Sequence, residues 1–218
     1  MKHITYENTA AILEDLVTRY PALLPVKADI NALFLLISDA YHHGNKLLIC
    51  GNGGSASDAL HIVGELMKSF TLRREISPDI RENLEEDYGE EGAALARSLE
   101  GTLPAIALVE NASLSTAFAN DVDGTLAFAQ QVYGLGKTGD VLLCISTSGN
   151  AKNCIQAAMT AKAMGMKVGF LGGKDGGKLL SLSDAAVVVP SNETFMIQEL
   201  HLPVYHALCL MLEYEFFA

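Results

Sequence analysis

Five short apolar runs, at 46–50, 104–109, 141–145, 167–171 and 185–189, constrain this chain more than any other feature. They stay apolar almost throughout instead of alternating with polar residues. Each therefore predicts a strand covered on both faces, as in a parallel sheet. Stretches of helical period separate most of them. Residues 58–70 carry Leu60, Val63, Leu66 and Met67, and 152–164 carry Ile155, Ala158, Met159 and Ala163. Two more helices are expected at about 6–20 and 28–43, with Pro21 and Pro25 marking the break between them. This alternation predicts an α/β fold, doubly wound, with a mostly parallel five-stranded sheet flanked by helices. The 218 residues read as a single domain in which 1–45 form a helical N-terminal extension.

Segment 73–100 breaks the rhythm. It is polar and strongly acidic, and reads as an insertion: a solvated surface excursion that turns helical around 93–99, with a lid over a site as the functional alternative. Elsewhere the composition is that of a folded chain, with 50% hydrophobic and 19% charged residues. Charge or glycine interrupts the apolar stretches, so no transmembrane helix is expected. Acidic residues stand where a signal peptide needs an apolar core, which points to the cytoplasm. Cys50, Cys144, Cys154 and Cys209 have neither CxxC spacing nor a disulfide pattern, and read as buried reduced thiols. A formal net charge of -11 repels a nucleic-acid backbone but allows one phosphate to be held by backbone N–H groups.

Two segments run strand, small-residue loop, helix. The first loop is Gly51-Asn52-Gly53-Gly54-Ser55-Ala56-Ser57, the second Ser146-Thr147-Ser148-Gly149-Asn150. Glycines let the backbone approach a ligand, and a helix N-terminus offers unpaired N–H groups to an anion. The first loop is neither GxGxxG nor GxxxxGK[ST], which disfavours a dinucleotide or a nucleoside triphosphate. It could equally be a glycine-rich turn capped by Ser55. In the second, three consecutive hydroxyls exceed what a helix N-cap needs and suit phosphate oxygens. Further on, His61 and Glu65 share a helix face at i and i+4, the spacing of an ordinary surface pair as well as of a site. Gln198, His201 and His206 belong to a C-terminal helix that Ser191 or Asn192 could cap. Pro203 should bend that helix, which leaves open whether Gln198 and His206 reach one site. His201 reads as a partly buried helix histidine.

These residues carry a resemblance. GNGGSASDALHIVGEL, STAFAND, GDVLLCISTSGN and IQELHLPVYH occur in the order of the SIS (sugar isomerase) superfamily, and within it the chain resembles the bacterial phosphoheptose isomerases. The resemblance spans nearly the whole chain except 73–100. It implies an aldose–ketose isomerase that converts sedoheptulose 7-phosphate to D-glycero-D-manno-heptose 7-phosphate through an enediol. It also implies zinc bound by His61, Glu65, Gln198 and His206, with Glu65 as base and His206 as acid. Asn52, Gly53, Gly54, Ser55, Asn120, Asp121, Ser146, Thr147 and Ser148 would take the sugar and its phosphate, together with Glu65 and Gln198. A homotetramer with sites across subunits is implied too, which would give the apolar N-terminal helices an interface. Two positions depart from the family pattern: Ser69 stands where an Arg is usual and Ala151 where a Ser is usual. They keep open an isomerase for a different anionic sugar. A non-catalytic SIS protein, binding a sugar phosphate or a replication-initiator partner, is the alternative from another class.

Overall fold

The computed structural model describes residues 6–218, so the first five residues of the expected extension lie outside it. Its sheet has five parallel strands in the order β2-β1-β3-β4-β5. These are β1 (Leu47–Gly51), β2 (Ala105–Ala107), β3 (Val141–Ser146), β4 (Lys167–Gly172) and β5 (Ala185–Val188). Successive strand residues feed two separate apolar layers, which is why the runs do not alternate. Leu47, Ile49, Val141, Leu143 and Ile145 join one core, and Leu48, Cys50, Leu142 and Cys144 join the other.

The first core is covered by α1 (Thr9–Arg19), α2 (Lys27–His42), α3 (Gly54–Leu66) and α9 (Thr194–Phe217). The second is covered by α6 (Ala127–Leu135), α7 (Lys152–Ala163) and α8 (Gly177–Leu182). A 3₁₀ turn, Pro21–Val26, fills the proline break between α1 and α2. The apolar faces of α1 and α2 pack on α9 and β5 of the same chain, so burying them takes no second subunit. Two helical stretches, Pro21–His42 and Thr194–Phe217, are long and apolar enough by length and composition to cross a membrane, though charges such as Lys27, Asp29 and Glu199 interrupt both. Both are built into the first core. The four cysteines are buried and free; Cys50 and Cys144 are register partners with sulfurs 3.7 Å apart.

The acidic segment departs from expectation. It is helical from Pro78, forming α4 (Pro78–Ser98), because proline is pre-set for a first helical turn and its many glutamates are good helix formers. Gly89, at φ 55 and ψ -129, kinks it, and only Gly92 and Ala96 are buried. It is exposed along nearly its whole length, as a solvated excursion should be.

α3 begins four residues earlier than its apolar period suggests and stops at Leu66. Its end has a specific cause. The Arg74 guanidinium donates from Nη1 to the Leu66 carbonyl at 2.7 Å and from Nη2 to the Glu65 carbonyl at 2.9 Å. Arg74 Nε meets Glu213 Oε1 of α9 at 2.8 Å, and both side chains are 1% exposed or less. Glu213 also accepts from the Phe70, Thr71 and Leu72 backbone N–H groups and from the Thr71 hydroxyl. Burial works to raise its pKa, but these hydrogen bonds outweigh it and hold the carboxyl below its ordinary value.

Glu213→Gln keeps the shape but leaves Arg74 buried without a counter-charge, which typically costs about 3–5 kcal/mol. Urea unfolding should show that loss; a change below about 1 kcal/mol would contradict the role given to the pair. Because the folded pKa is depressed, the pair's contribution is complete above the unfolded carboxylate pKa and fades as pH falls through the folded one. The variant and the natural chain should therefore converge in stability in acid.

Candidate active site

The chain runs from β1 to β2 on one side of the sheet and then returns to β3 on the other, so the strand order switches between β1 and β3. In open α/β sheets, ligands bind at such a point, beyond the carboxyl ends of the strands. Both small-residue loops lie there, one after Gly51 and one after Ser146. A reciprocal amide pair links their helices: Asn52 Nδ2 donates to Asn153 Oδ1 at 2.9 Å, and Asn153 Nδ2 donates to Asn52 Oδ1 at 2.8 Å.

Neither helix has a side-chain cap at its N-cap position. The N-cap of α3 is Gly53 and that of α7 is Ala151, and no side-chain cap bond is made at either. Ser55, buried inside the first turn of α3, is therefore not the cap of that turn. Ser55 N and Ala56 N donate to the Asn52 and Gly53 carbonyls and Cys154 N to Asn153 Oδ1, so what the two helices offer the crevice is the positive end of each helix rather than a full set of unpaired N–H groups. Among the described residues, none of the hydroxyls of Ser146, Thr147 and Ser148 donates a hydrogen bond within the chain; Ser148 Oγ accepts from Asn150 N at 3.3 Å. The second loop is held from behind. Gly149 has φ +62, and a Cβ there would lie 1.8 Å from the Gly176 carbonyl oxygen, so only glycine fits. Asn150 Oδ1 accepts from Lys178 N at 3.2 Å, tying the loop to α8.

A titratable cluster stands farther along α3. His61 Nε2 is 3.3 Å from Glu65 Oε1 and 3.5 Å from His206 Nε2. α3 and α9 pack together, so residues far apart in sequence meet there. Lys68 Nζ holds the other oxygen of Glu65 at 3.0 Å. Burial first, and then neighbouring His61, lower the pKa of His206, which favours its uncharged form. α9 runs unbroken through the buried Pro203, and its N-cap is Glu193 without a side-chain bond, so neither Ser191 nor Asn192 caps it. Gln198 sits at the first loop instead, where a Cβ on Gly54 would lie 2.4 Å from its Nε2. Among the described residues no hydrogen bond joins Gln198 to His61, Glu65 or His206. His201 is buried completely, not partly, with Nε2 3.2 Å from the Gly172 carbonyl oxygen.

Asn120 and Asp121 lie in a π-helical turn, Ala119–Asp123, that follows α5 (Ala112–Phe118), and their side chains bond to each other at 2.7 Å. Such turns are rare and frequent at functional sites. Nothing in 112–126 is buried. Sequence reasoning passes over Asn153, which ties the two loops together, and Tyr205, whose hydroxyl lies 3.0 Å from His61 Nδ1. The signal for both is position, in or next to the motifs that carry the site.

A sugar-isomerase (SIS) domain model matches residues 86–172. The chain is 40% identical to the phosphoheptose isomerase of Nitratiruptor sp. over 182 residues, which cover 84% of this chain and 83% of that protein. It is 42% identical to the phosphoheptose isomerase of Helicobacter pylori strain P12 over 186 residues, covering 85% and 83%. Its fold is similar to that of phosphoheptose isomerase GmhA from Neisseria gonorrhoeae, with a TM-score of 0.72 and 31% identity over 94% of this chain and 96% of that one. A phosphoheptose isomerase from Francisella tularensis gives a TM-score of 0.71 and 28% identity over 94% and 95%. With the switch-point loops and the His61–Glu65–His206 cluster in place, these likenesses identify the chain as a member of the phosphoheptose isomerase family.

Proposed function

We propose that the chain interconverts sedoheptulose 7-phosphate and D-glycero-D-manno-heptose 7-phosphate. The observation that carries this reading is the convergence of Glu65 and His206, from two helices, on His61 of the helix that opens at the first small-residue loop. The phosphate binds to the Ser146–Ser148 hydroxyls at the positive ends of α3 and α7. Asn52, Gly53, Gly54 and Ser55 line the same crevice, and Asn120 and Asp121 bond to sugar hydroxyls. Glu65 accepts the proton from the carbon beside the carbonyl and returns it to the neighbouring carbon. His206, uncharged, moves the second proton between the two oxygens. The double-bond shift is then balanced, with one proton exchanged between carbons and one between oxygens through an enediol.

The donors also suit zinc. Two ligands on one tetrahedral zinc stand about 3.3 Å apart at ordinary bond lengths, close to the spacing of His61 from Glu65 and from His206. The two pairs share His61; among the described residues no three His, Cys, Asp or Glu side chains yet close around one point. His61, Glu65 and His206 would hold the ion, with Gln198 as the amide donor the family resemblance adds. Bound there, it supplies a Lewis acid that polarises the carbonyl and stabilises charge on the enediol oxygens. A cytoplasmic homotetramer completes the reading, supported by Leu24 and Leu35, which stay 59% and 55% exposed on the N-terminal helices.

A second reading, an isomerase for a different anionic sugar, is favoured by Ser69. Its N–H is taken by Glu100 Oε2 at 2.7 Å and its Oγ by Arg74 N at 3.0 Å, so it offers no cation where the family pattern has Arg. Lys68 is engaged with Glu65, and Lys152 lies 3.8 Å from Asp123.

Ser148→Ala should weaken binding of the sugar phosphate by about 1.5–3 kcal/mol, the usual loss for one hydrogen bond to a charged group. Unchanged affinity by calorimetry would take the second loop out of the site. Glu65→Gln should lower turnover by roughly 10²–10⁴-fold with little change in substrate affinity. Zinc content measured on the same variant separates loss of the base from loss of the metal. Wild-type turnover in it would end the role of Glu65.

A further inference from the structure

Segment 73–100 builds a feature that the proposed reaction leaves unused, a cavity of about 360 Å³ lined wholly by its own residues. Four of the chain's five arginines, Arg73, Arg74, Arg81 and Arg97, stand in its wall. Of the nine acidic residues in the same segment, only Glu75 and Glu100 join them. The path of α4 causes this sorting. Arg81 and Arg97 would lie about 24 Å apart on a straight helix. The kink at Gly89 turns the second half of α4 back on the first, so closely that a Cβ on Gly92 would meet the Leu84 carbonyl oxygen at 1.7 Å. Arg81 from one half and Arg97 from the other therefore line one space, while the carboxylates between them are exposed.

Arg74 is committed to Glu213 and to the end of α3. The other three arginines are not spent in this way. Arg81 Nη2 gives one bond to Glu75 Oε2 at 2.9 Å, out of the five N–H donors of a guanidinium. Arg73 and Arg97 are exposed, and among the described residues their side chains make neither an ion pair nor a hydrogen bond. Glu100 accepts from the Ser69 N–H. With Glu213 included, four guanidinium groups meet three carboxylates, a local positive excess in a chain whose net charge is -11. Like charges gathered around one space repel, and an anion between them relieves the repulsion.

We propose that this cavity is an anion site separate from the catalytic crevice, in which Arg73, Arg81 and Arg97 hold the oxygens of a phosphate-bearing small molecule. A guanidinium presents a planar fork of donors that matches phosphate and carboxylate oxygens. Three forks exceed the two oxygens of a carboxylate and suit the tetrahedral set of a phosphoryl group. The volume falls among small-molecule pockets, about 300–1,000 Å³, which leaves room for the group the phosphate is attached to. The first small-residue loop opens α3, whereas Arg74 meets that helix at Leu66, about 18 Å farther along its axis. The site is therefore independent of the proposed reaction.

The test titrates the full chain, labelled with ¹⁵N-arginine, with inorganic phosphate and with pyrophosphate, and follows the arginine Nε–Hε signals by NMR. Five arginines give five such signals, assigned by their loss in Arg73→Gln, Arg81→Gln and Arg97→Gln. Those of Arg73, Arg81 and Arg97 should shift together and saturate, while Arg19, outside the cavity, stays still. Arg97→Gln should weaken binding about 10–100-fold, the usual loss for one hydrogen bond to a charged group. Lys162→Gln removes the same charge from the last turn of α7 and should leave the affinity unchanged. Equal weakening in both variants would mean a general attraction between charges, and would overturn the proposal. So would shifts that never saturate. Citrate that binds as tightly as pyrophosphate would also overturn it, because the cavity would then not select phosphoryl oxygens. Ser148→Ala separates the two sites: the arginine shifts should persist in it, and their loss would place the phosphate in the crevice and end the proposal. A chain that shows the arginine shifts yet isomerises no sugar phosphate would support this site while removing the proposed reaction.

Discussion

The helix that carries His61 and Glu65 ends where Arg74 reaches it, and Arg74 is in turn held by Glu213 of the last helix. That buried pair fixes α3 against α9. A charge pair so deep in an apolar layer is costly to desolvate, and it is offset here because Nε, Nη1 and Nη2 of Arg74 each donate a bond while Glu213 accepts from several donors besides. Glu213 collects three backbone donors and a hydroxyl from 70–72, so the turn leaving α3 is shaped around one carboxylate. The 3.5 Å separation of His61 from His206 depends on this clamp, since it spans α3 and α9, while the 3.3 Å separation of His61 from Glu65 is set within α3 itself.

The sheet supplies the other half of the geometry. With β1 and β3 adjacent and β2 on the far side of β1, two helix N-termini open into one crevice. The Asn52–Asn153 pair holds them in register. The chain's net charge of -11 does not oppose anion binding there, because local N–H dipoles and hydroxyls act at contact distance while distant carboxylates are screened by solvent. Phosphate recognition and proton transfer are thus assigned to different ends of the same helix, and α3 is the element common to both.

Much of this is legible in the sequence. Apolar runs flanked by small-residue loops place all five strands within a residue or two, because a strand buried on both faces has no polar positions to confuse its limits. His61 and Glu65 pair by helical spacing, but His206 joins them only through resemblance, since the packing angle of α3 on α9 is a tertiary property. The start of α4 escapes a reading that takes charge as a sign of irregular structure, although glutamate favours helices. Arg74 is hidden among surface charges. Glu213 is the clue, a carboxylate at a core position of a largely apolar helix, which only a buried cation or a set of backbone donors could satisfy. Tyr205 carries no signal of its own in the sequence, and its hydroxyl gains meaning only with His61 standing 3.0 Å away.

The central claim is that this pair of loops and this cluster move a proton between carbons of a phosphorylated sugar. Incubation of the chain with sedoheptulose 7-phosphate in heavy water tests it most directly. An enediol formed at Glu65 exchanges its carbon-bound proton with solvent, so mass spectrometry and NMR should find deuterium on the carbon beside the carbonyl as the aldose accumulates. Sugar phosphate that binds by calorimetry yet acquires neither label nor isomer would contradict the account.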